Sequence, residues 1–156
     1  MKFCGIILAA GCSSRAGEFK MTCKIKNKPM IEHIIETMDS LCDRIIVVIG
    51  SQKEKLYYLP GKYNKVQLVY NENYFDGMFS SIVTGLGHFA DDAAIICPGD
   101  CPAINVNTYL KLSEKNYGVQ VPIYKGIPGH PVYIRRDFVE KLKNGSFSTL
   151  KEFINN

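Results

Sequence analysis

Short apolar runs alternate along the chain with apolar stripes of helical period. The first run, Phe3 to Leu8, contains no charged residue, which is typical of a strand buried on both faces of a parallel sheet. Further runs predict strands over Arg44 to Ile49, Val66 to Tyr70, Ala93 to Cys97, Val119 to Pro122 and Val132 to Ile134. The predicted strands are therefore spread along most of the chain.

Two stripes of apolar residues at helical spacing lie between these runs. One consists of Ile31, Ile34, Ile35, Met38, Leu41 and Cys42, with Glu32, His33, Glu36 and Asp39 off the stripe; the other consists of Met78, Ile82, Leu86 and Phe89. Four shorter helices are also predicted. The first extends over Glu54 to Leu59 and ends at the turn dipeptide Pro60-Gly61, and the second extends over Val106 to Glu114 with Asn105 or Asn107 as its cap. The third begins at Asp137 as its cap and ends at Leu142, and the fourth extends over Thr149 to Ile154.

The alternation of strands and helices predicts a three-layer α/β domain with a mostly parallel sheet and right-handed crossovers. Ligands of such sheets bind beyond the carboxyl ends of the strands. The loops that follow the strands ending at Leu8 and Cys97 are both in that position. These two loops are therefore predicted to form one ligand site.

The loop after the first strand has the composition of an anion-binding loop. Its start, Ala9, Ala10 and Gly11, leaves the backbone nearly bare, and Ser13, Ser14, Arg15 and Lys20 follow. Small residues let a ligand approach the main chain, and successive N–H groups with two cations can bind phosphate. The spacing matches neither a Walker A loop nor Gly-x-Gly-x-x-Gly.

The same stretch resembles the Leu-Ala-Ala-Gly-x-x-x-Arg-x-Gly-x-x-Lys signature of nucleotidyltransferases with a GT-A-like, Rossmann-related fold. Leu8, Ala9, Ala10, Gly11, Arg15, Gly17 and Lys20 fill its fixed positions. The chain is most similar to MobA-like NTP transferases, above all to their molybdenum cofactor cytidylyltransferase branch. Three more stretches carry the resemblance, Gly77 to Gly87, Gly99 to Ile104 and Gly129 to Tyr133, so that it extends from Phe3 to about Leu142.

The resemblance implies roles for individual residues around a nucleotide. The backbone of Leu8, Ala9, Ala10 and Gly11 would border base and ribose, and Ser13, Ser14, Arg15 and Lys20 would hold the triphosphate. Ser81 would contact base or ribose, with capping of its helix as the alternative.

The resemblance also implies roles at the reacting end. Asp100 would hold Mg²⁺, with a turn made by its own backbone as the alternative, and Cys101 stands where the family commonly has Gln. His130 would contact the acceptor, with a structural hydrogen bond to backbone as the alternative. Lys20, Arg15 and Asp100 are the expected catalytic residues.

Together these features predict an Mg²⁺-dependent nucleotidyltransferase that transfers NMP from CTP, with GTP second, to a phosphorylated acceptor and releases pyrophosphate. The resemblance implies molybdopterin or its metal form as the acceptor. Fuller relatives continue beyond the position of Leu142 into an acidic Asp-x-Asp segment, so a shortened C-terminus is expected here. That leaves two alternatives: a truncated, non-catalytic nucleotide-binding module acting through a protein partner, and a sugar-1-phosphate nucleotidyltransferase.

Composition narrows the remaining possibilities. The 156 residues are 46% hydrophobic and 22% charged, as expected for one globular domain, and no membrane span or signal peptide is apparent, so a cytoplasmic protein is expected. The net charge is +4, and the cations are spread along the chain without long basic runs. One local cluster consists of Lys20, Lys24, Lys26 and Lys28, which would face either phosphates or solvent. Nucleic-acid binding is not expected. The six cysteines are expected to be reduced thiols; a metal or redox role for Cys97 and Cys101 is the alternative.

Overall fold

The structure is a computed structural model that describes residues 1–12, 17–115 and 118–155. Its strands are β1 Phe3–Ala9, β2 Lys24–Ile25, β3 Lys28–Pro29, β4 Arg44–Ile49, β5 Val66–Tyr70, β6 Ala93–Pro98, β7 Val119–Gln120, β8 Ile123–Tyr124, β9 Ile127–Pro128 and β10 Val132–Arg135. Its helices are α1 Met30–Asp39, α2 Leu59–Lys62, α3 Met78–Gly87, α4 Val106–Glu114, α5 Arg136–Asn144 and α6 Leu150–Asn155. Across these described residues, no helix has the length and apolar character needed to cross a bilayer.

The central sheet is mostly parallel, as predicted. Its strand order is β5-β4-β1-β6-β10-β7. β1 pairs in parallel with both β4 and β6, and β4 pairs in parallel with β5. β10 is antiparallel to β6 and to β7. Four parallel strands therefore end at the same edge of the sheet.

Helices cover both faces of the sheet because its central strands are apolar on both faces. One face packs against the apolar stripe of α1, which includes Ile31, Ile35 and Met38. The other packs against Ile82 and Leu86 of α3 and against α5. The result is the predicted three-layer α/β architecture, in which each buried aliphatic side chain contributes about 1.5–3 kcal/mol.

The contact between α3 and the sheet is too close for a side chain at Gly85. A Cβ atom built there would lie 2.7 Å from Ile6 Cγ2 and 3.0 Å from Val48 Cγ2, both on the buried face of the sheet. Nothing lies within 4 Å of a Cβ atom built at Gly87, one half-turn along the same helix. Gly85 thus sets how closely α3 approaches β1 and β4.

Three local predictions were wrong at element ends. Pro60 and Gly61 do not stop a helix but lie inside α2, where a proline in the first turn needs no N–H partner. Asp137 does not cap α5: the cap position is Arg135, whose guanidinium donates two hydrogen bonds to Asp137, each of 2.7 Å. The strand predicted to reach Pro122 ends at Gln120.

A buried carboxylate joins α1 to the segment containing α2. Glu32, which lies off the apolar stripe, is only 2% exposed. It accepts hydrogen bonds from Tyr58 (2.8 Å), Lys62 (2.5 Å) and Tyr63 (2.8 Å). Burial acts to raise the pKa of Glu32, but these three donors outweigh burial and hold the pKa below its ordinary value. The network therefore stabilises the ionised form.

We expect Gly85→Ala to lower the free energy of unfolding by about 1–3 kcal/mol, because the added methyl overpacks a closed contact. Gly87→Ala is the matched control, and it should be neutral or slightly stabilising because alanine favours the helix. Urea denaturation of both variants measures the difference. Equal stability of the two variants would contradict the proposed close contact.

We expect Glu32→Gln to destabilise the fold by about 2 kcal/mol at pH 7, because charge-assisted hydrogen bonds are lost inside the protein. Since the folded pKa is depressed, the contribution of Glu32 is present above the ordinary pKa of 4.5 and is lost as the pH falls through the folded pKa. Denaturation at pH 7 and at acidic pH should show the gap between variant and parent shrinking in acid. Glu36→Gln, which removes an exposed ion pair with Lys28, should cost less than about 1 kcal/mol.

Candidate active site

A cleft of about 290 Å³ lies at the carboxyl edge of the parallel strands. Its walls come from the end of β1, from the turn at Lys20 and Met21, from the segment between β5 and α3, and from the loop after β6. The lining residues are Leu8, Ala10, Gly11, Lys20, Met21, Tyr74, Gly77, Met78, Ser81, Pro98 and Asp100. The loops after the first and fourth long strands, which the sequence predicted to share a site, therefore meet here.

Glycine at two positions lets neighbouring segments pack closely against the end of β1, which borders the cleft. A Cβ atom at Gly50 would lie 2.7 Å from the carbonyl oxygen of Ala10. A Cβ atom at Gly99 would lie 3.0 Å from the carbonyl oxygen of Leu8, which accepts a hydrogen bond from Gly99 N–H at 2.9 Å. Leu8 and Ala10, at the end of β1, line the cleft.

The structure brings Lys20 and Asp100 together at the mouth of the cleft. Lys20 Nζ lies 3.7 Å from Asp100 Oδ2, and the side chains are 43% and 47% exposed. Lys20 is held by its neighbours Phe19 and Met21, which are buried in the core on either side of it. A cation and a carboxylate separated by 80 residues thus share one site.

The other residues that were considered as phosphate ligands divide into two groups. Ser13, Ser14 and Arg15, the other predicted triphosphate ligands, lie outside the described residues. Lys24 and Lys26 are exposed on and beside the β2–β3 hairpin, and Lys28 pairs with Glu36 at 2.5 Å. Lys24, Lys26 and Lys28 do not line the cleft.

Ser81 lies inside the cleft and does not cap α3. The cap position is Gly77, which has a φ of 92° that favours glycine. Ser81 is 4% exposed, and its hydroxyl accepts a hydrogen bond of 3.0 Å from Asn71 Nδ2. Since Ser81 lines the cleft and its oxygen is oriented by Asn71, it is placed to meet a ligand.

Asn71 is a site residue that the sequence reasoning missed. It is 2% exposed, donates to Ser80 Oγ (2.9 Å) and Ser81 Oγ, and accepts from the Asn73 N–H at 2.9 Å. It fixes the start of α3 to the end of β5. Its signal in the sequence is an amide side chain directly after an apolar strand, at the ligand-binding edge.

The position and exposure of the Asp100 carboxylate suit a hard divalent cation. Its carboxylate lies at the strand edge and is open to solvent, and Mg²⁺ in nucleotide sites is held by one or two carboxylates together with phosphate oxygens and water. Within the described part of the chain, no group of three His, Cys, Asp or Glu side chains forms a complete metal site. Among the described residues, Asp100 is thus suited to hold Mg²⁺ together with phosphate oxygens of a ligand.

His130 lies away from the cleft, between two further cavities of about 440 and 630 Å³. Its Nδ1 atom is buried without a hydrogen-bond partner, so the alternative of a backbone hydrogen bond is not seen at that atom. Burial lowers the pKa of His130, and the charge of Asp100 opposes this effect without reversing it. The lowered pKa favours the neutral form of the imidazole.

The cysteines behave as free thiols. All six are unpaired. Burial raises the pKa of Cys97 to about 12, and its sulfur accepts a hydrogen bond of 3.5 Å from Tyr109 Oη. Burial also raises the pKa of Cys101. Neutral thiols are poor metal ligands, so the metal alternative for this pair has no support among the described residues.

Comparison with known proteins identifies the class of this fold. The structure superimposes on Rv0371c from Mycobacterium tuberculosis H37Rv with a TM-score of 0.85 at 17% identity, covering 100% of this chain and 83% of that one. It superimposes on molybdopterin-guanine dinucleotide biosynthesis protein A from Archaeoglobus fulgidus with a TM-score of 0.69 at 16% identity, covering 97% and 78%. The fold is the Rossmann-like GT-A type of nucleotidyltransferases.

Sequence comparison gives the family. The model of the MobA-like NTP transferase domain matches residues 5–154, and the chain belongs to this family of nucleotidyltransferases. It is 28% identical over 132 residues to the molybdenum cofactor cytidylyltransferase of Escherichia coli K12, covering 84% of this chain and 69% of that protein. It is 31% identical over 131 residues to a probable molybdenum cofactor guanylyltransferase of Bacillus mycoides, covering 80% and 64%. The chain thus spans about two thirds of the length of these relatives.

We expect Asn71→Ala to weaken nucleotide binding by about tenfold, because loss of a hydrogen-bond donor leaves the Ser81 hydroxyl free to turn away. Isothermal titration with CTP and GTP in the presence of Mg²⁺ measures the effect. Asn64→Ala, at an exposed turn before β5, is the control and should bind as the parent does. An unchanged affinity in Asn71→Ala would contradict a role for Asn71 in orienting Ser81.

Proposed function

We propose that the chain is an Mg²⁺-dependent nucleotidyltransferase that transfers NMP from an NTP, CTP before GTP, to a phosphorylated acceptor of the molybdopterin type. The observation that carries the proposal is the meeting of Lys20 with Asp100, 3.7 Å apart, in a cleft at the carboxyl edge of the parallel strands. Membership of the MobA-like family supports it.

Base and ribose would lie in the cleft along the backbone of Leu8, Ala9, Ala10 and Gly11, with Ser81 on the opposite wall. The cleft volume of about 290 Å³ is at the small end of the range for small-molecule sites. CTP is placed first because the E. coli relative is a cytidylyltransferase. GTP is placed second because the Bacillus mycoides relative is a probable guanylyltransferase.

The triphosphate would extend toward Lys20, with Ser13, Ser14 and Arg15 as further ligands. Asp100 would hold Mg²⁺, which would neutralise charge on the phosphate oxygens. A complex of Rv0371c with manganese is among the structural neighbours, which supports a divalent ion in this fold. When the nucleotide binds, Lys20 would exchange Asp100 for phosphate oxygens, because the present pair is exposed and contributes little to stability.

The reaction itself needs charge stabilisation more than a proton-transfer group. A phosphate oxygen of the acceptor would attack the α-phosphorus of the NTP and form a new P–O bond. The bond between the α-phosphorus and its bridging oxygen to the β-phosphorus would break, and pyrophosphate would leave with that electron pair. Lys20 and Arg15 would stabilise the charge that develops on the leaving group, and His130 would hold the acceptor in line.

We expect pyrophosphate release when the chain is given CTP, Mg²⁺ and molybdopterin, with slower release from GTP. Lys20→Ala and Asp100→Asn should each lower kcat/KM by about 100-fold or more, because each removes a charge aimed at the transition state. Lys111→Ala, on the exposed face of α4, is the control and should leave the rate unchanged. The assay couples released pyrophosphate to a colorimetric phosphate readout.

Nucleotide binding without release from any of the four NTPs would contradict the proposal and favour the non-catalytic binding module. Release with sugar 1-phosphates but not with molybdopterin would favour the sugar nucleotidyltransferase. Equal rates for the Asp100→Asn variant and its parent would contradict the metal-binding role of Asp100.

A further inference from the structure

The smaller of the two cavities beside His130 has an apolar wall and one cationic side chain. Its volume of about 440 Å³ suits a small molecule. Apolar lining comes from Val121, Ile123, Pro128, Val132, Leu150 and Ile154. Of the described residues that line it, Lys151 of α6 is the one with a full positive charge at neutral pH.

Lys151 also borders the segment that forms the nucleotide cleft. It lines a second surface cleft of about 410 Å³ together with Gly77, Met78 and Phe79 at the start of α3. Gly77 and Met78 line the nucleotide cleft as well. Lys151 therefore stands between the cavity beside His130 and the place where the nucleotide would lie.

The ammonium group of Lys151 has no partner within the described part of the chain. It forms neither a hydrogen bond nor an ion pair there, although Asp76 lines the same second cleft. The neighbouring carboxylate of Glu152 is occupied, because its Oε2 accepts a hydrogen bond of 2.8 Å from Ser148 N–H. A cation without a counter-charge beside an apolar cavity is suited to an anionic ligand.

The backbone that carries Lys151 is held in place from both sides. Thr149 caps the start of the helix, since its Oγ1 accepts a hydrogen bond of 3.0 Å from Glu152 N–H. Phe153 is buried, and its ring meets Phe147 edge to face at 5.1 Å. The helix therefore fixes where the lysine can reach, while the exposed side chain stays free to bind.

We propose that Lys151 binds the phosphate group of the acceptor, while the heterocycle of the acceptor lies against the apolar wall below His130. This inference rests on the proposed function. It assigns the phosphate to α6, on the acceptor side of the site, and leaves Lys20 to the nucleotide. The ligand class is a flat heterocycle carrying a phosphate monoester, and Lys151 selects for the phosphate.

The test compares two fluorescent pterins, 6-hydroxymethylpterin and its phosphate ester, by fluorescence anisotropy. The parent chain should bind the phosphate ester more tightly than the free alcohol. Lys151→Ala should weaken binding of the ester by about tenfold, which corresponds to one lost charge-assisted contact, and should leave binding of the alcohol unchanged. Lys151→Arg should retain most of the preference, and Lys143→Ala, on the exposed face of α5, should behave as the parent does.

Equal weakening for the ester and the alcohol in Lys151→Ala would overturn the proposal, because it would indicate a packing effect. Equal affinity of the parent chain for both pterins would overturn it too. Pyrophosphate release with molybdopterin distinguishes failure of this proposal from failure of the proposed function. No release by the parent chain would contradict the proposed function. Release together with an unchanged acceptor KM in Lys151→Ala would contradict only the role of Lys151. CTP binding should be the same in all four proteins.

Discussion

The parallel pairing of β1 with both β4 and β6 is the constraint on which the site depends. Parallel strands end at the same edge of a sheet, so this pairing brings the loops after three strands to one place. The close approach of the neighbouring segments favours glycine at Gly50 and Gly99. A Cβ atom at Gly50 would lie 2.7 Å from the carbonyl oxygen of Ala10, and one at Gly99 would lie 2.5 Å from Met21 Sδ. The packing around the end of β1 thus depends on residues that leave no room for a side chain.

Some charged groups of the molecule stabilise the fold, and others are exposed and available for binding. Glu32 is buried and receives three hydrogen bonds, so it fastens α1 to the segment around α2 and contributes to stability. Lys20 and Asp100 form an exposed pair at 3.7 Å, and such pairs are worth less than about 1 kcal/mol. Breaking this pair costs little, which is what a site needs if both groups are to take new partners from a nucleotide and its metal ion.

The cleft at the end of β1 and the cavity beside His130 differ in how their polar groups are held. In the cleft at the end of β1, the buried Ser81 hydroxyl is held by Asn71, so its position is set before a ligand arrives. The cavity beside His130 is apolar and carries a lysine without a partner on a capped helix. A preformed hydrogen-bonding group suits recognition of a base, and an ammonium group on a flexible stem suits a phosphate.

Much of the fold could be predicted because the signals are local. The long strands and both long helices follow from apolar periodicity, and the Asn105 cap of α4 follows from a side chain two residues away. The errors at Pro60, Asp137 and Pro122 arose where two local signals compete and the surrounding packing decides between them. Asn71 was missed because an amide after a strand has no special meaning until the neighbouring helix is placed against it.

By itself the sequence determined the alternation of strands and helices, the bare backbone after β1 and the kinds of side chain available for binding phosphate, because each of these depends on residues near one another in the chain. The sequence also predicted that the loops of Lys20 and Asp100 share one site, and the structure gives the 3.7 Å between their charged atoms. Only the tertiary structure decided that Asn71 holds Ser81, that Glu32 is buried and that Lys151 lines the same cavity as His130. These pairings join residues 10 to 30 positions apart. Their geometry is set by how helices pack on the sheet, and no local pattern of residues contains that information.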